Sequence, residues 1–310
     1  MARYLVTGGA GFIGSNIVEE LVRRGKKVRV LDNFSTGNMK NLKPFMKDIE
    51  LVKGDIRNRA TLDKALKGVD YVIHQAALRS VARSVEDPFE TNDVNVNGTL
   101  NLLSAAKKHK IKRVVYASSS SAYGNAKRFP QKETDLPVPI SPYGVSKLAA
   151  ENYCVTFAKT FGLETVSLRY FNVFGPRQNP ESKYSAAIPA ILLKMMNGIR
   201  PIAEWDGKQS RDFTYVKNVV EANLRSCTAP GVSGEVFNVA CGATTSILEI
   251  IHMINKMQKT DLLPVYGPKR PGDVKKTIAD IGKIKKMLKI KKMIQFEEGL
   301  KATVEWFGKR

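Results

Sequence analysis

Two hydrophobic rhythms alternate along the first half of the chain. Short, almost wholly apolar runs predict strands that are covered on both faces. These runs are Arg3–Thr7, Lys27–Leu31, Glu50–Lys53, Tyr71–His74, Lys112–Ala117 and Glu164–Arg169. Between them, apolar residues recur at helical spacing near 12–24, 59–67, 90–110 and 142–161. Strand–helix alternation of this kind predicts an α/β fold, a Rossmann-type doubly wound parallel sheet.

After Tyr170 the rhythm breaks, and prolines separate shorter elements. The chain has 310 residues, more than the roughly 250–300 at which a single core usually stops growing. We therefore expect two lobes. Residues 1–171 would bind a dinucleotide, and residues 172–310 would form a smaller mixed α/β lobe that binds the substrate. A segment near 212–237 is expected to return to the first lobe.

Composition excludes several classes of protein. Apolar residues make up 43% and charged residues 25% of the chain, close to the averages for globular proteins. No apolar run approaches the ~20 residues of a membrane helix, and no secretory signal is visible. We expect a cytoplasmic protein without a membrane partner. Its cysteines and histidines are scattered, which predicts neither a disulfide framework nor a metal site.

The net charge of +21, from 50 basic and 29 acidic residues, is the unusual bulk property. Such an excess favours anionic ligands. The densest lysine cluster, within 283–292, has apolar residues between the lysines at helical spacing, so we interpret it as the solvated face of an amphipathic helix. A nucleic-acid-binding sensor is the competing class, although no nucleic acid is expected; DNA retention that depends on salt would support it.

A glycine-rich turn follows the first strand and opens the first helix. It contains Gly8, Gly11 and Gly14, where glycine allows a tight turn and a close approach of the backbone to a pyrophosphate. Asp32 ends the second strand, where a carboxylate accepts hydrogen bonds from the adenosine ribose. Asn33 follows it and no arginine is near to hold a 2′-phosphate. The cofactor is therefore predicted to be NAD.

Two tyrosines have a lysine four residues later, Tyr123/Lys127 and Tyr143/Lys147. A tyrosine can act as a base if its pKa is lowered, and a lysine on the same helical face supplies the positive charge. Tyr123 lies in a turn sequence. Tyr143 follows Ser141-Pro142, an N-cap and a proline at the first helical position. Tyr143/Lys147 is therefore the predicted catalytic pair.

At this point the sequence resembles the sugar-nucleotide epimerase/dehydratase family of extended short-chain dehydrogenases/reductases, most closely its UDP-glucose and UDP-N-acetylglucosamine 4-epimerases. The matching segments are Thr7–Gly14, Asp32-Asn33, Gly54-Asp55, His74–Ala77, Asn95, Ser118–Gly124, Tyr143/Lys147, Leu168–Pro176, Ser210–Phe213 and Arg270–Val274.

The resemblance implies roles for individual residues. Ser119 would complete the catalytic set with Tyr143 and Lys147. The NAD-binding residues would be Gly8, Gly11, Phe12, Ile13, Gly14, Asp32, Asn33, Asp55, Ile56, Gln75, Ala76, Ala77, Asn95, Tyr143, Lys147 and Val173. The substrate-binding residues would be Arg79, Ser80, Ser120, Ser121, Asn172, Gln178, Ala186, Arg211, Arg270, Asp273 and Thr277. Without the resemblance, Asp55 could equally be a cofactor-binding residue or an ordinary loop residue.

The residues after Ser119 separate the reactions of the family. Dehydratases place an Asp-Glu pair there and decarboxylases keep a glutamate, whereas this chain has Ser120 and Ser121. The resemblance therefore implies inversion at C4 through a transient 4-keto sugar. It would also imply a role in nucleotide-sugar metabolism for polysaccharide biosynthesis. Dehydration, decarboxylation and reduction remain the alternatives within the family.

The sugar and the oligomer are the remaining expectations. Thr277 is small where a bulky residue would crowd a 2-acetamido group, which favours UDP-N-acetylglucosamine, with UDP-glucose as a second substrate. Arg79 replaces the glycine of the best-matching members and could instead meet the carboxylate of UDP-glucuronate. A homodimer is expected through the helices near 90–110 and 142–161, using Leu100, Leu102, Leu103, Tyr153, Val155 and Phe157.

Overall fold

A seven-stranded parallel sheet forms the centre of the fold in the computed structural model, which describes residues 2–180, 186–268 and 275–309. The strands are β1 (Arg3–Thr7), β2 (Lys27–Asp32), β3 (Ile49–Lys53), β4 (Tyr71–His74), β5 (Arg113–Ser119), β6 (Thr165–Tyr170), β7 (Val173–Phe174), β8 (Ile202–Glu204), β9 (Ser210–Arg211), β10 (Thr214–Tyr215), β11 (Glu235–Val239), β12 (Thr245–Ser246), β13 (Val265–Gly267) and β14 (Lys276–Thr277).

The central sheet has the strand order β11-β6-β5-β4-β1-β2-β3, and every pair in it is parallel. The order reverses between β1 and β4, and ligands of such sheets bind in the crevice outside the strand ends at that point. The predicted fold class is therefore confirmed, and the predicted Gly-rich loop lies at the reversal.

Helices cover both faces of the sheet. They are α1 (Phe12–Arg23), α2 (Arg59–Leu66), α3 (Val81–Glu86), α4 (Pro88–Asn92), α5 (Gly98–Lys108), α6 (Pro142–Phe161), α7 (Ala187–Met196), α8 (Val216–Thr228), α9 (Ile247–Gln258), α10 (Gly282–Met287) and α11 (Phe296–Gly308). One apolar cluster packs α1 and α8 on one face, and a second packs α2, α5 and α6 on the other. A third cluster joins α7, α9 and α11 beside the sheet. No helix among the described residues is long and apolar enough to cross a membrane.

Local signals fix both ends of α6, the helix that carries Tyr143. The Ser141 side chain accepts a hydrogen bond from the backbone N–H of Gly144 at 3.1 Å, and Pro142 takes the first helical position. At the other end, Gly162 adopts a left-handed conformation with φ +67°, which glycine allows without a Cβ penalty. These are the signals from which the sequence predicts the helix, and its bounds agree with the prediction.

The segment predicted as one helix near 90–110 is divided in the structure. α4 ends at Asn92, a π-helical turn spans Asp93–Asn97, and α5 follows. Such π-turns often occur at functional sites, and this one contains Asn95. The expectation that Leu102, Leu103 and Phe157 contribute to a dimer interface is wrong, because all three are buried in the core between α5, α6 and the sheet.

Part of the chain beyond residue 171 lies against the first half. β11 pairs with β6 at the edge of the central sheet, and α8 packs on α1. The lysine-rich segment is helical only over α10. Ile284 in this helix and Leu288 directly after it are buried, whereas Lys285 and Lys286 are exposed. This arrangement supports the amphipathic interpretation of the cluster.

A buried ion pair joins α6 to the sheet. The Arg169 guanidinium donates to Glu151 at 2.6 and 3.0 Å, and the Ser118 hydroxyl donates to the same carboxylate at 2.6 Å. Glu151 and Arg169 are 2% and 4% exposed. Removing one partner of such a pair leaves the other charge buried without compensation.

We predict that Glu151→Ala lowers the free energy of unfolding by about 3–5 kcal/mol, because Arg169 would lose its counter-ion in the core. The matched control is Lys108→Ala, which breaks the exposed pair of Lys108 with Asp63 and should cost less than about 1 kcal/mol. Urea unfolding of both variants measures the difference. Equal losses would show that the buried pair contributes no more than a surface pair.

Candidate active site

Two positions of the Gly-rich loop have no room for a side chain. A Cβ on Gly8 would lie 2.7 Å from the backbone nitrogen of Ala76, and a Cβ on Gly14 would overlap the carbonyl oxygen of Gly8. α1 begins after Gly11 without a side-chain cap. Its first N–H groups, at Phe12, Ile13 and Gly14, are thus available to an anionic group.

Asp32 is 6% exposed and holds the loop that carries the glycines. Its carboxylate accepts from the N–H groups of Ala10 and Phe34, both at 2.8 Å. Burial raises the pKa of Asp32, and the two backbone hydrogen bonds oppose that shift. The carboxylate is therefore oriented at the end of β2, the place where a ribose hydroxyl would be bound.

Asn33 and Asp55 form a second polar pair at this edge, since the Asn33 amide donates to Asp55 at 2.8 Å. Arg57 also holds Asp55 through two donors and keeps its pKa down at about 2. The side chain of Ile56 is buried in the core, so only its backbone can face a cofactor. The glycine cradle, the uncapped helix and Asp32 fit a bound dinucleotide.

Several predicted cofactor residues have side chains that are already engaged. The Gln75 amide donates to Tyr170 at 2.9 Å and to Asn223 at 3.2 Å. Asn95 holds the loop after β4, because it accepts from the N–H of Leu78 at 2.8 Å and donates to its carbonyl at 3.1 Å. Ala76, Ala77 and Val173 are half-buried. These contacts indicate that Gln75 and Asn95 position the backbone of the loop after β4.

The predicted catalytic residues meet where β5 ends against α6. Ser119 lies close enough to Tyr143 for hydrogen bonding between the two side chains to lower the pKa of the tyrosine. Lys147, one turn later on the same face, donates to the carbonyl of Ala117 at 2.8 Å and lies over the Tyr116 ring. The structure therefore brings Ser119 to Tyr143 and places Lys147 one turn further along the same face of α6. Tyr123, the rival candidate, instead donates to Asn238 at 2.7 Å.

The electrostatics of this set differ from a simple tyrosine–lysine pair. Burial raises the pKa of Tyr143, whereas the contact with Ser119 and the positive charge of Arg79 lower it. Burial also lowers the pKa of Lys147 to about 7. Arg79 is therefore a cation that acts on the tyrosine in this structure.

A chain of buried hydrogen bonds, not foreseen from the sequence, links the glycine loop to α6. Thr7 contacts Nδ1 of His74 at 2.6 Å, and Nε2 of His74 contacts Thr99 at 3.0 Å. Thr99 donates to the carbonyl of Asn95, so His74 is the donor at Nε2 and the acceptor at Nδ1. Burial lowers the pKa of His74 to about 3 and keeps it neutral.

The chain continues from Asn95 to the tyrosine. The Asn95 amide donates to the Ser146 hydroxyl at 3.0 Å, and that hydroxyl donates to the carbonyl of Tyr143 at 2.8 Å. Ser84 of α3 accepts from the N–H of Tyr143 at 3.0 Å. The polar His74 at the end of apolar β4 was a signal in the sequence, but its partners depend on the tertiary fold.

Predicted substrate residues of the second half gather around β9 and β14. The Asn172 amide donates to the Thr277 hydroxyl at 3.2 Å and to the carbonyl of Asp212 at 3.0 Å. Arg211 pairs with Thr277 in a parallel register. Asp212 is fully buried, and its carboxylate accepts from the N–H groups of Cys241, Gly242 and Ala279.

The other predicted substrate residues are more dispersed. Gln178 is 2% exposed and donates to the carbonyl of Val173 at 3.2 Å. The Ser80 hydroxyl caps α3, and Ser120 and Ser121 form the turn that follows β5. Ala186 is exposed at the start of α7. Arg270 and Asp273 lie outside the described residues.

Fold and site together define a dinucleotide-dependent enzyme of the short-chain dehydrogenase type. The chain belongs to the NAD dependent epimerase/dehydratase family, whose model matches residues 4–240.

Three solved structures are similar over 99% of this chain. The first is a UDP-N-acetylglucosamine 4-epimerase from Methanobrevibacter ruminantium in complex with UDP-N-acetylmuramic acid, with 41% identity, a TM-score of 0.95 and 98% of that chain covered. The second is a UDP-glucose 4-epimerase from Thermotoga maritima with UDP-glucose, with 38% identity, a TM-score of 0.94 and 99% coverage. The third is a UDP-glucose 4-epimerase from Thermus thermophilus in complex with NAD, with 34% identity, a TM-score of 0.90 and 99% coverage.

We predict that Gly14→Ala lowers NAD affinity by at least ~10-fold, about 1.4 kcal/mol, because the new Cβ would overlap the Gly8 carbonyl and displace the loop. Gly308→Ala is the matched control, since its Cβ would meet nothing within 4 Å. Titration calorimetry with NAD measures both affinities, and circular dichroism verifies the fold. Unchanged affinity in Gly14→Ala would show that the cradle does not hold NAD.

Proposed function

We propose that the protein is an NAD-dependent 4-epimerase of a UDP-sugar, with UDP-N-acetylglucosamine and UDP-glucose as the expected substrates. The observation that supports the proposal is the position of Ser119 against Tyr143, with Lys147 one turn further along α6, at the end of the sheet that also carries the Gly-rich loop. The family and the named activities of the similar structures support it. A cytoplasmic location remains a prediction.

Three side chains have separate roles in the proposed reaction. NAD, held by the Gly-rich loop and Asp32, would supply reversible hydride transfer at C4 of the sugar. Tyr143 accepts the proton of the 4-hydroxyl and later gives it back. Ser119 shares a hydrogen bond with the same oxygen. Lys147 is held by the carbonyl of Ala117, on the helical face that carries Tyr143, where in its protonated form it supplies a positive charge.

Elimination lacks its acid and base in this site. The positions after Ser119 are Ser120 and Ser121, whose side chains are poor proton carriers at neutral pH. Glu151 lies on the same helix as Tyr143, but Arg169 and Ser118 occupy its carboxylate. Because neither position offers a free carboxylate, 4-epimerisation is favoured over dehydration or decarboxylation.

The second half of the chain supplies groups for the anionic nucleotide. Arg211 carries a guanidinium suited to two phosphate oxygens, and Asn172 and Thr277 lie beside it. We assign the sugar and pyrophosphate to this cluster, together with Gln178, Ala186, Arg270 and Asp273. Thr277 is half-buried, and its small side chain leaves room for an acetamido group. We also propose that the two lobes divide at residue 171.

We predict that Tyr143→Phe keeps NAD bound and loses epimerisation by about 10²–10⁴-fold, because the proton acceptor is removed. Tyr123→Phe is the matched control; it removes the hydrogen bond to Asn238 and should keep turnover near that of the wild type. Chromatographic separation of UDP-sugar epimers measures the rate, and absorbance near 340 nm follows reduction of NAD. Near-normal epimerisation by Tyr143→Phe would refute the assignment of the base.

We also propose a homodimer through the outer faces of α5 and α6. These helices contact each other, and Tyr153 and Phe161 are exposed at 38% and 45%. Leu100 and Val155 are half-buried nearby. Apolar side chains that remain exposed on adjacent helices are typical of an interface.

Light scattering at micromolar concentration should give about twice the 34.4 kDa of one chain. Tyr153→Glu should shift the mass toward the monomer, since a charge in an apolar interface is costly. Tyr266→Glu is the control, because Tyr266 is exposed far along the chain in β13. A monomeric wild type, or equal effects of both variants, would contradict this interface.

A further inference from the structure

His74 lies between the strand that leads to the cofactor loop and the strand that leads to the catalytic serine. It ends β4, which is flanked by β1 and β5 in the central sheet, and it is 1% exposed. Its direct neighbours in the sheet are Thr7 of β1 and Tyr116 of β5. Thr7 immediately precedes Gly8, and β5 ends at Ser119. The imidazole is therefore placed to contact both halves of the site.

The hydrogen bonds of the ring have a defined direction. The Thr99 hydroxyl donates its proton to the carbonyl of Asn95 at 2.6 Å, so it accepts from Nε2 of His74 at 3.0 Å. A neutral imidazole carries one ring proton, so Nδ1 accepts from the Thr7 hydroxyl at 2.6 Å. That hydroxyl in turn accepts from the N–H of Ala76 at 3.3 Å. A rigid ring with one donor and one acceptor satisfies both sides at once.

The face of the imidazole has a further contact that favours the neutral form. It packs on the Tyr116 ring with the two centroids 5.7 Å apart, and the Lys147 ammonium lies over the same tyrosine ring, 5.0 Å from its centroid. Burial and the charge of Lys147 both lower the pKa of His74. A neutral ring at this position leaves the lysine charge unopposed.

The chain ends on the backbone of the catalytic tyrosine. Asn95 donates to the Ser146 hydroxyl, which donates to the carbonyl of Tyr143 at 2.8 Å. Each linking residue is at most 2% exposed: Thr7, His74, Asn95, Thr99 and Ser146. Because water does not reach them, a group that loses its partner in this chain stays unsatisfied or moves. A displacement of about 1 Å at a reacting group can cost about 10²-fold in rate.

We infer that His74 is a positioning residue for both the cofactor and the base. Its Nδ1 holds the residue before the Gly-rich loop, and its Nε2 holds Tyr143 in place through Thr99 and Asn95. The inference rests on the proposed function, in which Tyr143 is the base. One imidazole thereby sets the position of the NAD loop relative to the tyrosine.

Two substitutions of His74 separate its two sides. The asparagine amide can take the position of Nδ1 and keep an acceptor for Thr7, whereas the glutamine amide can reach the position of Nε2 and keep a donor for Thr99. His74→Asn should lower kcat by about 10- to 100-fold, and His74→Gln should recover part of that loss. NAD affinity should rank in the opposite order, with His74→Gln weaker by about 5-fold or more. Chromatographic separation of UDP-sugar epimers gives kcat, and titration calorimetry gives the affinity for NAD.

Thr99→Val removes the next hydroxyl of the chain without a change of shape. It should lower kcat by about 10-fold and change KM for the UDP-sugar by less than about 3-fold, because the substrate cluster of β9 and β14 is not part of the chain. Thr303→Val is the matched control. Thr303 is 1% exposed and donates to the carbonyl of Gly299, four residues earlier, at 2.7 Å, as Thr99 does to Asn95. Its loss should leave kcat near that of the wild type.

The tyrosinate absorbance of Tyr143 gives a readout that does not need turnover. It is the difference between each protein and the same protein with Tyr143→Phe. The pH at which this tyrosinate forms should shift in Thr99→Val and not in Thr303→Val. If the wild type epimerises no UDP-sugar but this shift and the NAD ranking are observed, the proposed function fails and the positioning role stands.

Two results would overturn the inference. His74→Asn and His74→Gln could lose kcat and NAD affinity in the same order, or Thr303→Val could lose as much turnover as Thr99→Val. Either result would mean that His74 and Thr99 support the fold in general and do not position the tyrosine.

Discussion

Contact between α6 and the carboxyl end of β5 is the constraint on which the active site depends. Tyr143, Lys147 and Glu151 are spaced by four residues and meet Ser119, Ala117 and Ser118, respectively. A helix and a strand touching at three successive turns can neither rotate nor slide without breaking all three contacts. The distance between the tyrosine and the cofactor loop is therefore set by the sheet, which also carries that loop after β1.

Much of this arrangement could be predicted, because local sequence signals specify it. Ser141, Pro142 and Gly162 mark the ends of α6, and the glycines after β1 mark the cofactor loop. The apolar runs predict six of the strands within about two residues of their observed bounds, since a strand covered on both faces needs apolar residues throughout. Each of these features depends on residues that are neighbours in the sequence.

What could not be predicted depends on register and packing. Glu151 meets Arg169 only because β5 and β6 pair with Ser118 opposite Arg169, and no spacing in the sequence specifies that register. The π-turn at Asp93–Asn97 places Asn95 against both Leu78 and Ser146, which helical periodicity alone would not show. In the sequence, Leu102 and Leu103 widen the apolar stripe of their helix and so indicate an interface with a second chain. The close packing of α5 between α2 and α6 buries them instead.

Charge around the catalytic tyrosine follows from the same packing. Burial keeps His74 neutral, and the charge of Glu151 is compensated by Arg169. Neither His74 nor Glu151 therefore contributes an uncompensated charge near Tyr143. The Lys147 ammonium donates a hydrogen bond to a backbone carbonyl, and this contact stabilises part of its charge. The positive charge of Arg79 lowers the pKa of Tyr143, and Arg79 lies on a loop that the hydrogen-bond chain through Asn95 ties to the tyrosine's own helix. Because the same hydrogen bonds position this loop and the start of α6, a change in the loop would alter both the position and the electrostatic surroundings of the tyrosine.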